Sequence, residues 1–115
     1  MNAEEFVQAV KKYAGESAVE SVAGELRSPP GRKPPTDLVQ SSKWFLQLDE
    51  QSKTYVLSIA TMAVDHALFG FFCIIDGVRA IESGSNKGEF VITYRKGGVS
   101  QDLNDPNMVL LHEMY

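Results

Sequence analysis

Apolar residues recur at helical spacing through the first two thirds of the chain and then switch to strict alternation. Asn2 precedes the first periodic stretch, and Glu5 follows three residues later at the spacing of a capping box. Phe6, Val7, Val10 and Tyr13 share one face of this helix, while Glu4, Lys11 and Lys12 lie largely off it. Gly15 is expected to stop it. Ser17 then opens a second helix, with Glu20 at the capping-box position and Val19, Val22, Ala23 and Leu26 as its stripe.

The segment RSPPGRKPP, Arg27 to Pro35, interrupts the pattern, because its four prolines and one glycine forbid both helix and central strand. It carries three positive charges, which would suit an anion-contacting loop or a polyproline ligand. No two of its prolines are three apart, so the PxxP pattern is absent and a stiff solvated connection is the simpler reading.

Thr36 or Asp37 is expected to cap a third helix whose inward arc is Leu38, Ser42, Phe45 and Leu46. Trp44 lies about 100° from Phe45 on the wheel, on the flank of that arc. A fourth helix is expected from about Ser52 to Ile75 or Asp76, with Gly77 as its stop. Tyr55, Ile59, Met62, His66, Phe69 and Cys73 fall on one side of it, which reads as the core face. Ser58, Thr61, Asp65 and Asp76 mark a polar stripe. After Ala67 the segment is apolar all round, the mark of a buried helix; a break near Gly70 into a buried strand is the alternative.

Beyond Gly77 the period becomes two. VRAIES suggests a short strand, EFVITYR (89–95) is the clearest strand of the chain, and Gly97-Gly98 supports a reversal into VSQDL. NDPNMVLLHEMY reads as a helix with Asp105 at N-cap and Pro106 at its first position. The expectation is an α+β fold: four to five helices packed with a small antiparallel two- or three-stranded sheet near the C-terminus. At 115 residues this makes one domain, helical over 2–76, a β-hairpin or meander over 78–103 and a C-terminal helix over 106–115.

Composition narrows the function. A net charge of −4 argues against nonspecific binding to nucleic acid or anionic lipid. A single cysteine, Cys73, excludes an internal disulfide and any multi-cysteine metal site. The N-terminus builds no hydrophobic leader, and the longest unbroken apolar run is about half the ~20 residues of a membrane span. These features predict a cytoplasmic protein with no membrane and no nucleic-acid partner.

The candidate chemistry is sparse. Asp65 and His66 are adjacent on a helix, so their side chains diverge by about 100°. His66 and Cys73 are separated by roughly 10 Å of helix rise, against the ~3 Å a proton transfer needs. Asp65 and Asp76 share a stripe but lie about 16 Å apart, too far for a carboxylate pair. Asp76 opposes the dipole at the helix end, which nominates Arg79 as its compensating partner, in a salt bridge or a functional pair. His66, His112 and Glu113 would make a metal site or a hydrolytic centre only if the fold brought them together, and no HExxH spacing announces one. No phosphate-binding loop, nucleophile elbow or calcium loop is present, and no cofactor is implied.

FGFFCIIDGVRAIE, then GEFVITYRKGG, then LNDPNMVLLHEMY, together spanning about Asp65–Tyr115, resemble small uncharacterised bacterial proteins whose genes often neighbour toxin or secretion systems. The resemblance implies an interaction role, such as an immunity protein that neutralises a toxin; it brings no catalytic residues with it. The sequence-level expectation is therefore a small intracellular protein-binding domain without catalytic machinery, facing a basic toxin domain. Trp44, Asp76, Arg79 and Tyr115 are the partner-binding candidates. The alternative is a hydrolase or metal-binding enzyme built on His66, His112 and nearby carboxylates, and a third reading is a homodimer joined through the apolar helix.

Overall fold

A computed structural model describes all 115 residues. It is an α+β chain with four helices, α1 Ala3–Val10, α2 Ser17–Arg27, α3 Thr36–Gln47 and α4 Glu50–Ile75. A two-stranded antiparallel sheet, β1 Thr93–Lys96 and β2 Val99–Asp102, and a single helical turn, α5 Leu111–Met114, complete it. Contacts divide the chain into two compact units, one of Met1–Lys12 with His66–Tyr115 and one of Tyr13–Asp65.

The first unit is built around Phe72. Val7, Phe72, Ile75 and Leu111 form its buried cluster, with Phe6, Val10, Ile92 and Tyr115 packed against it. Phe6 meets Phe72 edge-on at 6.1 Å and Tyr115 lies 5.7 Å from it, both within the range of favourable aromatic pairs. The capping box at Asn2 forms as expected: the Asn2 side chain accepts from the Glu5 N–H at 2.8 Å, and Glu5 accepts from the Asn2 N–H. No break follows at Gly15. Lys11–Glu16 instead form a π-helical turn that runs directly into α2, absorbing the extra residue inside the helix with Gly15 buried.

In the second unit α2 and α3 pack against each other. Phe45 and Ala23 are buried between helices, and the buried Ser42 hydroxyl donates to the Leu26 carbonyl at 2.6 Å. That bond supplies a partner to one of the carbonyls left free at the end of α2. α3 begins after Pro35, which has no side-chain cap bond; Asp37, one expected cap, accepts instead from the Leu38 N–H. Leu46, expected inside, is half exposed.

α4 remains helical through Gly70, so no buried strand replaces its end. It stops in a Schellman turn. Gly77 takes a φ of 76°, the Val78 N–H donates to the Cys73 carbonyl and the Gly77 N–H to that of Ile74. Its C-terminal part is buried as expected at Gly70, Phe72, Cys73 and Ile75. Its expected core face is not: Tyr55, Ile59, Met62, His66 and Phe69 are all exposed, and only Cys73 of that set is buried.

Beyond α4 the sheet is smaller than the alternation implies. Residues 78–92 contain no paired strand, so VRAIES and the first half of EFVITYR stay outside the sheet. Asn104 explains the second case. Its buried side chain accepts from the Ile92 N–H at 2.9 Å and donates to the Phe90 carbonyl at 2.8 Å, taking the positions a neighbouring strand would fill. The expected helix at Pro106 is replaced by a turn in which the Asp105 side chain accepts from the Asn107 N–H. Helix forms only at Leu111, where the Glu113 side chain accepts from the Leu110 N–H.

Candidate functional site

The junction at the end of α4 gathers most of the polar candidates. Asp76 has a completely buried side chain, whose Oδ2 accepts from the His112 N–H at 2.9 Å and pairs with His112 Nδ1 at 2.8 Å. Its Oδ1 is buried and accepts no hydrogen bond. The compensating partner of this helix-end carboxylate is thus His112, and the expected Asp76–Arg79 pair does not form. Arg79 instead lays its guanidinium over Gly70, where an added Cβ would fall 2.5 Å from Nη1.

A carboxylate only accepts, so the His112 Nδ1 facing it carries a proton, and this bond fixes the orientation of the ring. Phe69 packs edge-on against that ring at 5.8 Å. An oriented imidazole of this kind can serve as base or metal ligand when other groups converge on it. Here they do not. His66 stands exposed on α4, Glu113 turns back to cap Leu110, and no group of three His, Cys, Asp or Glu side chains is gathered to hold a metal. The Asp76–His112 pair ties the end of α4 to α5.

Asn104 is the residue that sequence reasoning missed. Besides Phe90 and Ile92 it donates to the Ile75 carbonyl at 3.1 Å, tying the last turn of α4 to the segment before β1. The one signal in the sequence was an asparagine at the end of a strand pattern, which reads equally well as a turn. Asn104, Asp76, Arg79, Ile81, Lys87 and Phe90 are among the residues lining a cleft of about 460 Å³. Charges of both signs border it, Arg79 and Lys87 against Glu82 and Glu89.

Tyr115, one expected anchor, is partly buried, with its ring against Phe72 and Lys11 over its face at 5.4 Å. Trp44 is 55% exposed, on the flank where the helical wheel puts it.

A row of exposed apolar side chains lies on α4 within the Tyr13–Asp65 unit. Tyr55, Ile59 and Met62 are 61%, 64% and 57% exposed and recur at spacings of four and three. On the opposite face Val56, Leu57, Ala60 and Val64 are half-buried. α4 thus carries two apolar faces, and its own chain covers only one of them.

α4 is also long and apolar enough to cross a membrane by length and composition, and little of its most apolar stretch is buried. The expectation that length excludes a span is therefore overturned. It counted only unbroken apolar residues, whereas a helix of 26 residues, about 39 Å long, carries Ser, Thr and single polar residues among them. No family model, no curated protein and no solved structure matches the chain.

Proposed function

We propose that this chain is a protein-binding domain and that the exposed apolar face of α4 is a protein-contact surface. The observation that carries the reading is the row Tyr55, Ile59 and Met62, large apolar side chains at helical spacing left in solvent. Single exposed apolar residues are ordinary, whereas a contiguous row on a rigid helix marks an interface. Trp44, exposed on α3, is a second candidate anchor, of the residue type most enriched at binding hot spots.

A bilayer suits this face less well. Asp65 and His66 fall near the middle of α4, and a carboxylate at mid-span costs about 2.5–3.5 kcal/mol on insertion scales. Within the protein-binding reading, the net charge of −4 and the resemblance of the C-terminal half support a cytoplasmic immunity protein that neutralises a basic toxin domain.

The test is titration of the purified product of the neighbouring gene against the wild-type chain, Trp44→Ala and Ile59→Glu, with folding of each checked by circular dichroism. A saturable complex that at least one variant weakens tenfold or more is expected. Absence of a complex, or one that neither variant alters, would overturn the proposal.

A further inference from the structure

We infer that the outer edge of β1 pairs with the same edge of a second copy of this chain, antiparallel about a twofold axis at Ile92. The inference is independent of the reading of α4 as a contact surface. It starts from the edge backbone. The Leu103 N–H donates to the Ile92 carbonyl at 2.8 Å, which continues the register that sets Tyr94 opposite Gln101 and Lys96 opposite Val99. Ladder bonds alternate along an antiparallel pair, so the N–H and C=O groups of Val91, Thr93 and Arg95 face away from β2. The sheet ends at β1, and no hydrogen bond from the chain reaches these groups. Asn104 holds Phe90 and Ile92 from the β2 side, which extends the edge beyond β1 without closing it. An open edge of this kind is completed by another extended strand, and native proteins usually blunt it with proline or charge. From Phe90 to Tyr94 it carries neither, and Val91 and Thr93 stand exposed on it.

The order of side chains singles out the second copy. EFVITYR, Glu89 to Arg95, is complementary to its own reverse: opposite charges outermost, then aromatic rings, then β-branched residues around Ile92. With the axis at Ile92, Val91 meets the partner's Thr93, Phe90 the partner's Tyr94 and Glu89 the partner's Arg95, each pair occurring twice. β-branched, aromatic and opposite-charge pairs are those that stabilise neighbouring strands. Sliding the pairing by two residues in either direction sets Arg95 against the partner's Lys87 or the partner's Val91, so one register is favoured. A uniformly basic strand from another protein would be matched at Glu89 and repelled at Arg95. The outer edge of β2 is shorter, ending at Asp102 before the buried Leu103 and Asn104, so the pairing closes at two copies.

Sedimentation equilibrium of the full chain from micromolar to millimolar concentration tests this, with the folding of each variant checked by circular dichroism. The wild type is expected to pass from monomer to dimer. Glu89→Arg and Arg95→Glu are each expected to weaken the dimer about tenfold or more, because each sets like charges across the edge at both ends. The double variant, Glu89→Arg with Arg95→Glu, is expected to restore it. Along one strand Glu89 and Arg95 stand about 20 Å apart, so this rescue cannot arise within a single copy. Hydrogen exchange at the Val91 and Thr93 amides of the wild type is expected to slow as the dimer forms. A wild type that is monomeric throughout overturns the inference and leaves the α4 reading standing. The placement is overturned by a dimer that neither single variant weakens, or that the double variant fails to restore. A dimer in which those two amides exchange as they do in the monomer overturns it as well.

Discussion

Asp76 and His112, 36 residues apart, meet at 2.8 Å, and a second bond from the His112 backbone reaches the same carboxylate oxygen. The pair fastens the last turn of α5 to the end of α4 beside the Phe72 core. Because the Asp76 side chain is wholly buried, the two partners are not equivalent under mutation. His112→Ala leaves a buried carboxylate with one backbone donor and is expected to cost about 3–5 kcal/mol. Asp76→Asn keeps an acceptor at the same place and is expected to cost about 1–3 kcal/mol, the price of one unsatisfied amide group. Urea denaturation of the two variants checks the order.

Asn104 satisfies three backbone groups with one side chain, two carbonyls and one N–H. Asn104→Ala is expected to destabilise by about 2–4 kcal/mol, since water reaches only part of what it leaves unpaired. Asn104→Asp is expected to be at least as damaging, because it sets a carboxylate against the Ile75 and Phe90 carbonyls. Faster hydrogen exchange at the Ile92 amide in both variants would locate the loss.

Gly70 lies inside α4, where a glycine costs helix stability through its backbone freedom. Its only close neighbour for an added methyl is the tip of Arg79, a flexible and exposed side chain able to swing aside. Gly70→Ala is therefore expected to be neutral or to stabilise by up to about 1 kcal/mol. A lowered melting temperature would show instead that the seat of Arg79 is itself required.

Asp49 caps α4 by accepting from the Ser52 N–H at 2.7 Å, and this backbone bond, together with one from the Ser52 side chain, holds its carboxyl below the usual carboxylate range. A pKa lowered by folding contributes stability above the unfolded value, lost as pH falls through the folded one. Asp49→Ala is expected to fray the start of α4 at neutral pH and to flatten this acid-side loss. Asp49→Asn retains a cap and removes only the pH dependence. Helicity followed by circular dichroism from neutral to acid conditions separates the two.

Much of the helical layout was legible because it depends on local chemistry. The Asn2–Glu5 box, the proline segment after α2, the burial of Ser42 and Phe45 with Trp44 left outside, and the Gly77 stop all follow from residues within a few positions of one another. The polar site was legible only as a set of names. Asp76 was recognisable as a carboxylate misplaced at a helix end, but the sequence offered the nearby Arg79 as its partner, and chain proximity misled.

The amino-acid sequence by itself determined the Asn2–Glu5 start and the Gly77 stop, that the fold mixes helices with a late antiparallel hairpin, and that α4 becomes apolar on all sides after Ala67. Tertiary structure decided which of those sides is covered. Periodicity reports that a face is apolar; it does not report whether the same chain supplies enough surface to bury it. It also decided that Asn104 takes the place of a strand beside Phe90 and Ile92, and that His112 rather than Arg79 meets Asp76. Both are contacts between distant segments, set by how the chain closes on itself and carried by no local pattern.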